Sequence, residues 1–414
     1  MTEPGWWRDT CIVGGWCPDP RVPYAQPTTS MSTSYGATSR RTPVRTSRPR
    51  RPDIALCYGT RPQVIKVAPL LRTLRDRWRV LTVDTGQHYD FALNAQLYQD
   101  LGMPSADVFL GAGPSHPVEQ TAHMAAACAH VLMQRRPRAV VVIGDTNSTL
   151  ACAIAAHHLS IPLVHVEAGL RSDHPEMAEE RNRRAVDHMS ALLCAPSASA
   201  VATLHAERVT GEIVLSGDIA RDALGLVSSH VVRRSGEGAP YIFATLHRAE
   251  LTSHADALTA VVRALGTLGR RVVLPLHPRT RGALEALGLL TTLAPSIEVH
   301  APLGYLETVS AIREADCVVT DSGGVQREAY WLGTPCVTLR TETEWGETLT
   351  CGANRLVAPA EVVSRLGNAV HEAAVSSRHW ARDAYGAGDA AARIADAVGS
   401  LLPARRSRVA AVAT

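Results

Sequence analysis

The chain reads as an α/β protein of two doubly wound domains of similar size with a ligand cleft between them. Three observations carry this reading. Short apolar runs alternate with helical stretches along most of the sequence, the pattern of a parallel sheet covered on both faces. The alternation breaks once, at Ser228–Pro240, a polar stretch with Gly and Pro, and then restarts. Nearly every motif with chemical potential falls where an apolar run ends, and in open parallel sheets that edge is where ligands bind.

Residues 1–52 are rich in Pro, Ser, Thr and Arg without periodicity and are expected to form a disordered arm. Met31 lies inside it and is an alternative start. Order begins at the buried strand Asp53–Tyr58. Strand-like runs follow at Val80–Asp84, Ala139–Ile143, Leu163–Glu167, Leu192–Ala195 and Ile213–Leu215. Helical patterns fill the gaps at Ile65–Leu74, Phe91–Leu101, Glu119–Gln134, Ser148–Leu159 and Ala198–Glu207. These define a first domain over 53–227. The second, 240–377, has strands at Tyr241–Thr245, Arg271–Leu276, Ile297–His300, Cys317–Asp321, Pro335–Leu339 and Asn354–Val357. Helices over 378–402 are expected to cross back to the first domain, and 403–414 reads as a tail.

Composition narrows the function. With 414 residues, 46% hydrophobic and 20% charged, the chain has material for two full cores. The formal charge of +3 is small, and much of the arginine excess lies near the ends, so no nucleic-acid partner is expected. No apolar run is long enough to span a bilayer and no signal-peptide layout opens the chain, which points to a cytoplasmic protein without a membrane partner. The nine cysteines form no C-x-x-C pair. Cys57, Cys194, Cys317 and Cys336 read as small buried hydrophobes, and no bound metal is expected.

The most informative stretch runs from Cys317 to Leu339. A strand ends in Asp321-Ser322-Gly323-Gly324 and a helix starts at once, carrying Glu328 into its first turns. Such a turn admits an anion to free backbone N–H groups at a helix N-terminus, and a carboxylate at the distance of Glu328 suits ribose hydroxyls. The same turn also serves as a plain tight connection. Gly59-Thr60-Arg61-Pro62 follows the first strand, with Lys66 one turn on, a receptive site for a diphosphate or a solvated cap. Asp145 follows the strand Ala139–Ile143 and reads either as an N-cap or as a reactive carboxylate. Glu167 ends the next strand on the same rim, and Glu179-Glu180 open the following helix. Three carboxylate positions converging on one cleft imply chemistry or cation binding, with His165 the nitrogen ligand in the metal alternative. His247 and His277 close adjacent strands of the second domain and suit contacts to a phosphorylated ligand.

These motifs in this order resemble the non-hydrolysing UDP-N-acetylglucosamine 2-epimerases. The resemblance rests on GTRPQVIKVAPL (59–70), TGQHYD (85–90), GDTNST (144–149), HVEAGLRS (165–172), EERNRRAVDHMS (179–190), TLHRAE (245–250), LPLHP (274–278), TDSGGVQREA (320–329), TETEWGET (341–348) and YGAGDAAARI (385–394). It implies two Rossmann-like domains of the GT-B type with the active site between them. It also implies reversible C2 inversion of a UDP-sugar by elimination of UDP to a 2-acetamidoglucal and re-addition. Arg61, Lys66, His247 and Ser322–Gly324 then face the diphosphate, with His277 beside them and Glu328 on the ribose. Asp145, Glu167 and Glu179 serve the ring and the proton, and with His247 make up the catalytic group. No cofactor is required, and a homodimer is expected. Ala178 stands where a proline is usual before the acidic pair, and Trp345 where many members carry arginine. Tyr89 and Asp90 replace a polar pair found in members activated by a second substrate molecule. A modified UDP-sugar, such as a diacetamido uronate, and a hydrolysing outcome remain open, as does a GT-B glycosyltransferase.

Overall fold

The computed structural model of the chain describes residues 51–87, 97–172, 174–228, 240–376 and 378–402. The arm before Arg51, the tail from 403, the Tyr89–Asp90 pair and nearly all of the Ser228–Pro240 stretch lie outside the described residues.

Two parallel sheets organise the fold. The first contains β1 (Ile54–Tyr58), β2 (Val80–Asp84), β3 (Val108–Phe109), β4 (Ala139–Ile143), β5 (Leu163–Val166), β6 (Leu192–Ala195) and β7 (Glu212–Leu215). Its order is β3-β2-β1-β4-β5-β6-β7. The second contains β8 (Tyr241–Thr245), β9 (Arg271–Pro275), β10 (Ile297–His300), β11 (Cys317–Thr320), β12 (Cys336–Thr338) and β13 (Asn354–Leu356), in the order β10-β9-β8-β11-β12-β13. Each order reverses once, between β1 and β4 and between β8 and β11, so each sheet has a switch point where loops diverge and a ligand crevice opens.

Helices connect the strands. In the first half they are α1 (Arg61–Arg75), α2 (Pro117–Arg135), α3 (Asn147–His158), α4 (Ala178–Met189), α5 (Ala198–Ala206) and α6 (Ile219–Ser228). The second half adds α7 (Ala249–Thr252), α8 (Ala255–Gly266), α9 (Pro278–Ala286), α10 (Tyr305–Glu314), α11 (Gly323–Leu332), α12 (Gly346–Thr350) and α13 (Val362–Val375). The last helix, α14 (Ala390–Leu401), packs against α1 and α6 of the first half. Asp222 on α6 anchors its start, its carboxylate accepting from the N–H groups of Ala390 and Ala391 at 3.1 and 3.0 Å.

Uninterrupted apolar strands demand cover on both faces. In β1, Ile54, Leu56 and Tyr58 enter a core with α1 and α14, while Ala55 and Cys57 enter the opposite layer under α2 and α3. There the sulfurs of Cys57, Cys128 and Cys152 lie within 4.8 Å of one another, all buried among apolar side chains. The second sheet is covered likewise, with Ile242 and Ala244 on one face and Phe243 on the other. Among the described strands, only β3 escapes the sequence pattern. It has two residues at the sheet edge, too few to show a period, and Asp107 pins it by accepting from Thr82 N and Oγ1, both at 2.8 Å.

The β1–α1 turn is set by close packing. A Cβ on Gly59 would lie 1.8 Å from Thr85 Oγ1 and 2.4 Å from Ser148 Oγ, two hydroxyls that hydrogen-bond each other at 2.7 Å. Gln63 then ties the turn down. Its Oε1 accepts from Gly59 N and Thr60 N at 2.9 and 3.1 Å, and its Nε2 donates to Ile143 O at the end of β4 at 2.7 Å. Gly59→Ala is therefore expected to lower stability by about 1–3 kcal/mol through overpacking, read as a lower urea midpoint at unchanged slope.

Candidate active site

The strand ends of the first sheet carry three acidic positions, and the structure treats each differently. Glu167, just after β5, is 5% exposed, and both its oxygens are engaged. Lys66 from α1 pairs with Oε2, and Arg327 from α11 donates to Oε1 at 3.0 Å. Burial alone would raise this carboxyl, but the two cations outweigh it and hold the pKa down to about 2. The backbone of Glu167 is left-handed, with φ of 70°, a conformation that costs a side-chain-bearing residue about 1–2 kcal/mol. The ion pairs compensate for that strain.

Asp145, after β4, is not the helix cap. Thr146 fills that role, its hydroxyl accepting from Thr149 N at 3.4 Å. The Asp145 carboxylate is left to pair through Oδ2 with Arg183 Nε at 2.9 Å, and its side chain is 33% exposed. The two acidic residues opening α4 part company. Glu180 is fully buried and accepts from Ser172 N at 2.9 Å, Arg183 at 3.0 Å and Arg184 at 2.8 Å. Glu179 points to solvent on the first turn, without a hydrogen bond or ion pair among the described residues. His165 is no metal ligand. Its Nδ1 meets Asp187 Oδ1 at 2.6 Å and its Nε2 meets Gly144 O at 2.9 Å, so it braces the turn that presents Asp145.

The second sheet contributes the opposite chemistry. His247 follows β8. Its Nδ1 lies 3.1 Å from Asp321 Oδ1, and its backbone N–H donates to Oδ2 at 2.9 Å. Burial works to raise the Asp321 carboxyl, yet His247 brings it below the usual carboxylate range. The His277 ring lies 6.4 Å from that of His247, and its Nδ1 accepts from Arg279 N at 3.2 Å as the cap of α9. Ser322 is the N-cap of α11, accepting from Val325 N at 3.3 Å, and Gly323 and Gly324 are the first helical residues. A Cβ on Gly323 would be 3.5 Å from the Trp345 indole nitrogen. Glu328 lies one turn further and is half-buried; burial pushes its carboxyl up to about 7. Arg61 opens α1, half-exposed.

The two rims meet through contacts between the halves. Arg327 reaches from α11 to Glu167 and also pairs with Asp218, which follows β7, while its guanidinium stacks 3.9 Å from the centroid of the Trp345 ring. Arg183 reaches Glu344 at 3.5 Å, and Ser172 Oγ donates to Glu342. A cavity of about 210 Å³ opens at this junction, with Asp321, Arg248 and Arg340 on one side and His174 and Met177 on the other. The arrangement joins a fixed ionised carboxylate, Glu167, and the more accessible Asp145 to a helix N-terminus and a carboxylate-oriented histidine, while Glu179 is not drawn into these contacts. Such a set can stabilise a departing diphosphate while a proton moves on the group it leaves.

Sequence reasoning passed over Arg327, Asp218, Asp321 and Glu344 as participants. Asp218 and Asp321 were within reach of the criterion that selected Asp145 and Glu167, an acidic residue just past a strand end. Arg327 carries no local signal, because its partners lie 160 and 109 positions away.

Two outcomes follow from these pairs. Arg327→Ala strands Asp218 in a buried site and is expected to cost about 3–5 kcal/mol. Adding Asp218→Asn should return part of that loss, and calorimetric unfolding of the single and double variants measures it. The second concerns Glu328. Its carboxyl, raised from 4.5 to about 7, stays neutral in the folded chain while the unfolded chain ionises. Stability is therefore lost as pH rises from 4.5 to about 7. Glu328→Gln should match the wild type below that window and exceed it above, whereas a pH-independent difference in urea midpoints would refute the assignment.

The profile of a family described as UDP-N-acetylglucosamine 2-epimerase matches residues 72–399. The chain is 38% identical to the UDP-2,3-diacetamido-2,3-dideoxy-D-glucuronate 2-epimerase of Pseudomonas aeruginosa, over 84% of this chain and 99% of that protein. It is 33% identical to the UDP-N-acetylglucosamine 2-epimerase of Methanocaldococcus jannaschii, over 82% of this chain and 97% of that one. Among solved structures, the M. jannaschii enzyme in complex with UDP-GlcNAc and UDP superposes with a TM-score of 0.76 at 34% identity, covering 84% of this chain and 99% of that chain. The Neisseria meningitidis enzyme bound to UDP-GlcNAc gives 0.74 at 25% identity, covering 84% and 99%.

Proposed function

The chain belongs to the UDP-N-acetylglucosamine 2-epimerase family, and on that premise we propose that it inverts C2 of UDP-N-acetylglucosamine reversibly, giving UDP-N-acetylmannosamine. The observation that carries the proposal is the meeting of the two rims. Arg327, on the helix that starts at Ser322–Gly324, binds the carboxylate of Glu167 on the opposite sheet.

The C2 hydrogen of such a sugar is not next to a carbonyl, so direct abstraction by a carboxylate is out of reach. In the first step the C1–O bond breaks and its electron pair leaves on the diphosphate. The C2 proton passes to a carboxylate, and a C1–C2 double bond forms. In the second, a proton is delivered to C2 on the other face and UDP adds back at C1. Arg61, Lys66, His247 and the start of α11 are assigned to the diphosphate, His277 to its flank and Glu328 to the ribose. Glu167, fixed and ionised, suits the positive charge that builds on the ring. Asp145, engaged through Oδ2 alone, and Glu179, without a hydrogen bond or ion pair among the described residues, are assigned the proton work.

A second reading shares the chemistry and changes the substrate. The identity of 38% to a UDP-2,3-diacetamido-glucuronate 2-epimerase favours a modified sugar carrying an acetamido group at C3 and a carboxylate at C6. Incubation with each UDP-sugar in deuterated water, without added NAD or metal, tests both. NMR is expected to show the C2 epimer and deuterium at C2, and retention of the C2 proton would sink the elimination route. Asp145→Asn should lower turnover by about 10²-fold or more with UDP affinity kept, and Glu328→Ala should weaken UDP binding.

A further inference from the structure

We propose that a second cavity, lined by helices of both halves and remote from the strand ends, binds a multiply phosphorylated small molecule. The cavity measures about 620 Å³. Its walls include the later turns of α1, the length of α6, and the last residues of α10 and α11. Since α1 and α11 both begin at the catalytic rim, their far ends hold this cavity away from it.

Among the described residues, four arginines line it, Arg72, Arg221, Arg313 and Arg382, against one carboxylate, Asp222. That carboxylate is already occupied with the first N–H groups of α14. Among the described residues, three of the arginines donate to backbone carbonyls and pair with no carboxylate, and the Arg382 guanidinium also lies 6.0 Å from the centroid of the Trp380 ring. Arg72 donates to Leu101 O at 2.9 Å, Arg221 to Arg382 O, and Arg382 to Trp331 O and Arg378 O at 3.5 and 3.4 Å. Capping of chain ends explains one or two donors on each guanidinium, but it neutralises no charge and leaves most of five donors unused. Trp331, 7% exposed, forms part of the wall, and its indole N–H finds no acceptor among the described residues. The cavity is thus rich in donors and cations and poor in acceptors.

An occupant must therefore be an acceptor-rich polyanion, and guanidinium forks match phosphate oxygens two at a time. The volume lies within the range of about 300–1,000 Å³ typical of organic-ligand pockets. Pro69, Leu224 and Leu332 add apolar wall that a bare inorganic anion would not use. Together these select a phosphorylated organic molecule of nucleotide size.

Titration calorimetry of the full chain with ATP as probe tests this. Wild type should bind saturably in the micromolar range, and adenosine should not bind. Arg221→Gln/Arg382→Gln should weaken ATP binding at least tenfold, and Arg72→Gln several-fold. Glu328→Ala, in the catalytic cleft, should leave it unchanged. UDP affinity and melting temperature verify that the double variant is folded; if it is not, Arg72→Gln decides alone. No saturable binding by wild type at millimolar ATP, unchanged binding by the arginine variants, or loss in Glu328→Ala would overturn the proposal.

Discussion

Arg327 is the cation on which the arrangement turns. It is buried, it leaves one sheet, and it finds two carboxylates on the other, Glu167 and Asp218, with an aromatic face beneath it. Taking a guanidinium out of water is expensive, and only paired and hydrogen-bonded charges offset that cost. The pairing is therefore compulsory once the two halves close, and it makes closure specific in register. A displacement of even a hydrogen-bond length would leave Arg327 and Asp218 buried and unmatched, with Glu167 held by Lys66 alone.

The same contact sets the charge state of the first rim. Because Arg327 and Lys66 together hold Glu167 ionised, the carboxylate nearest the inter-sheet contact is fixed in charge as well as in place. The strained backbone at Glu167 belongs to this design. A left-handed residue directly after β5 turns the side chain toward Lys66 and Arg327, and the ion pairs hold what propensity alone would release. Across the cleft the charges are reversed. Asp321 orients His247 through ring and backbone together, so the second sheet offers donors where the first offers carboxylates.

Rigid helices carry these rims into the rest of the molecule. At about 1.5 Å per residue, α1 spans roughly 22 Å and α11 roughly 15 Å. Each starts at the cleft, with Arg61 and Lys66 on one and Ser322–Gly324 on the other. Each reaches the arginine-lined cavity, through Arg72 on α1 and Trp331 on α11. The two sites thus share their framework although they share no side chain. At the cavity Arg72, Arg221 and Arg382 donate to backbone carbonyls, whereas at the cleft Lys66, Arg183, Arg327 and Arg340 are each paired with a carboxylate. The cleft contacts hold the halves together without a ligand, while the cavity has charge to spare for one.

The sequence by itself determined the strands and the strand-end rims at which the polar motifs lie. Apolar periodicity is local, and a strand end is visible wherever an apolar run meets Gly, Asp or Ser. All six strands of the second sheet and every strand of the first but β3 were legible that way. Asp145, Glu167, His247 and Ser322 were legible for the same reason, as polar residues just past those ends. Only the tertiary structure decided what each does with its charge. Glu179 and Glu180 are neighbours in sequence, yet one faces solvent and the other is locked among three arginines and a backbone amide. Asp145 lost the capping role to Thr146 one residue on. Arg327 and Asp218 became partners across 109 positions. Local pattern reports which residues reach an edge; electrostatic pairing depends on distance in space, and space is set only when both sheets are folded and apposed.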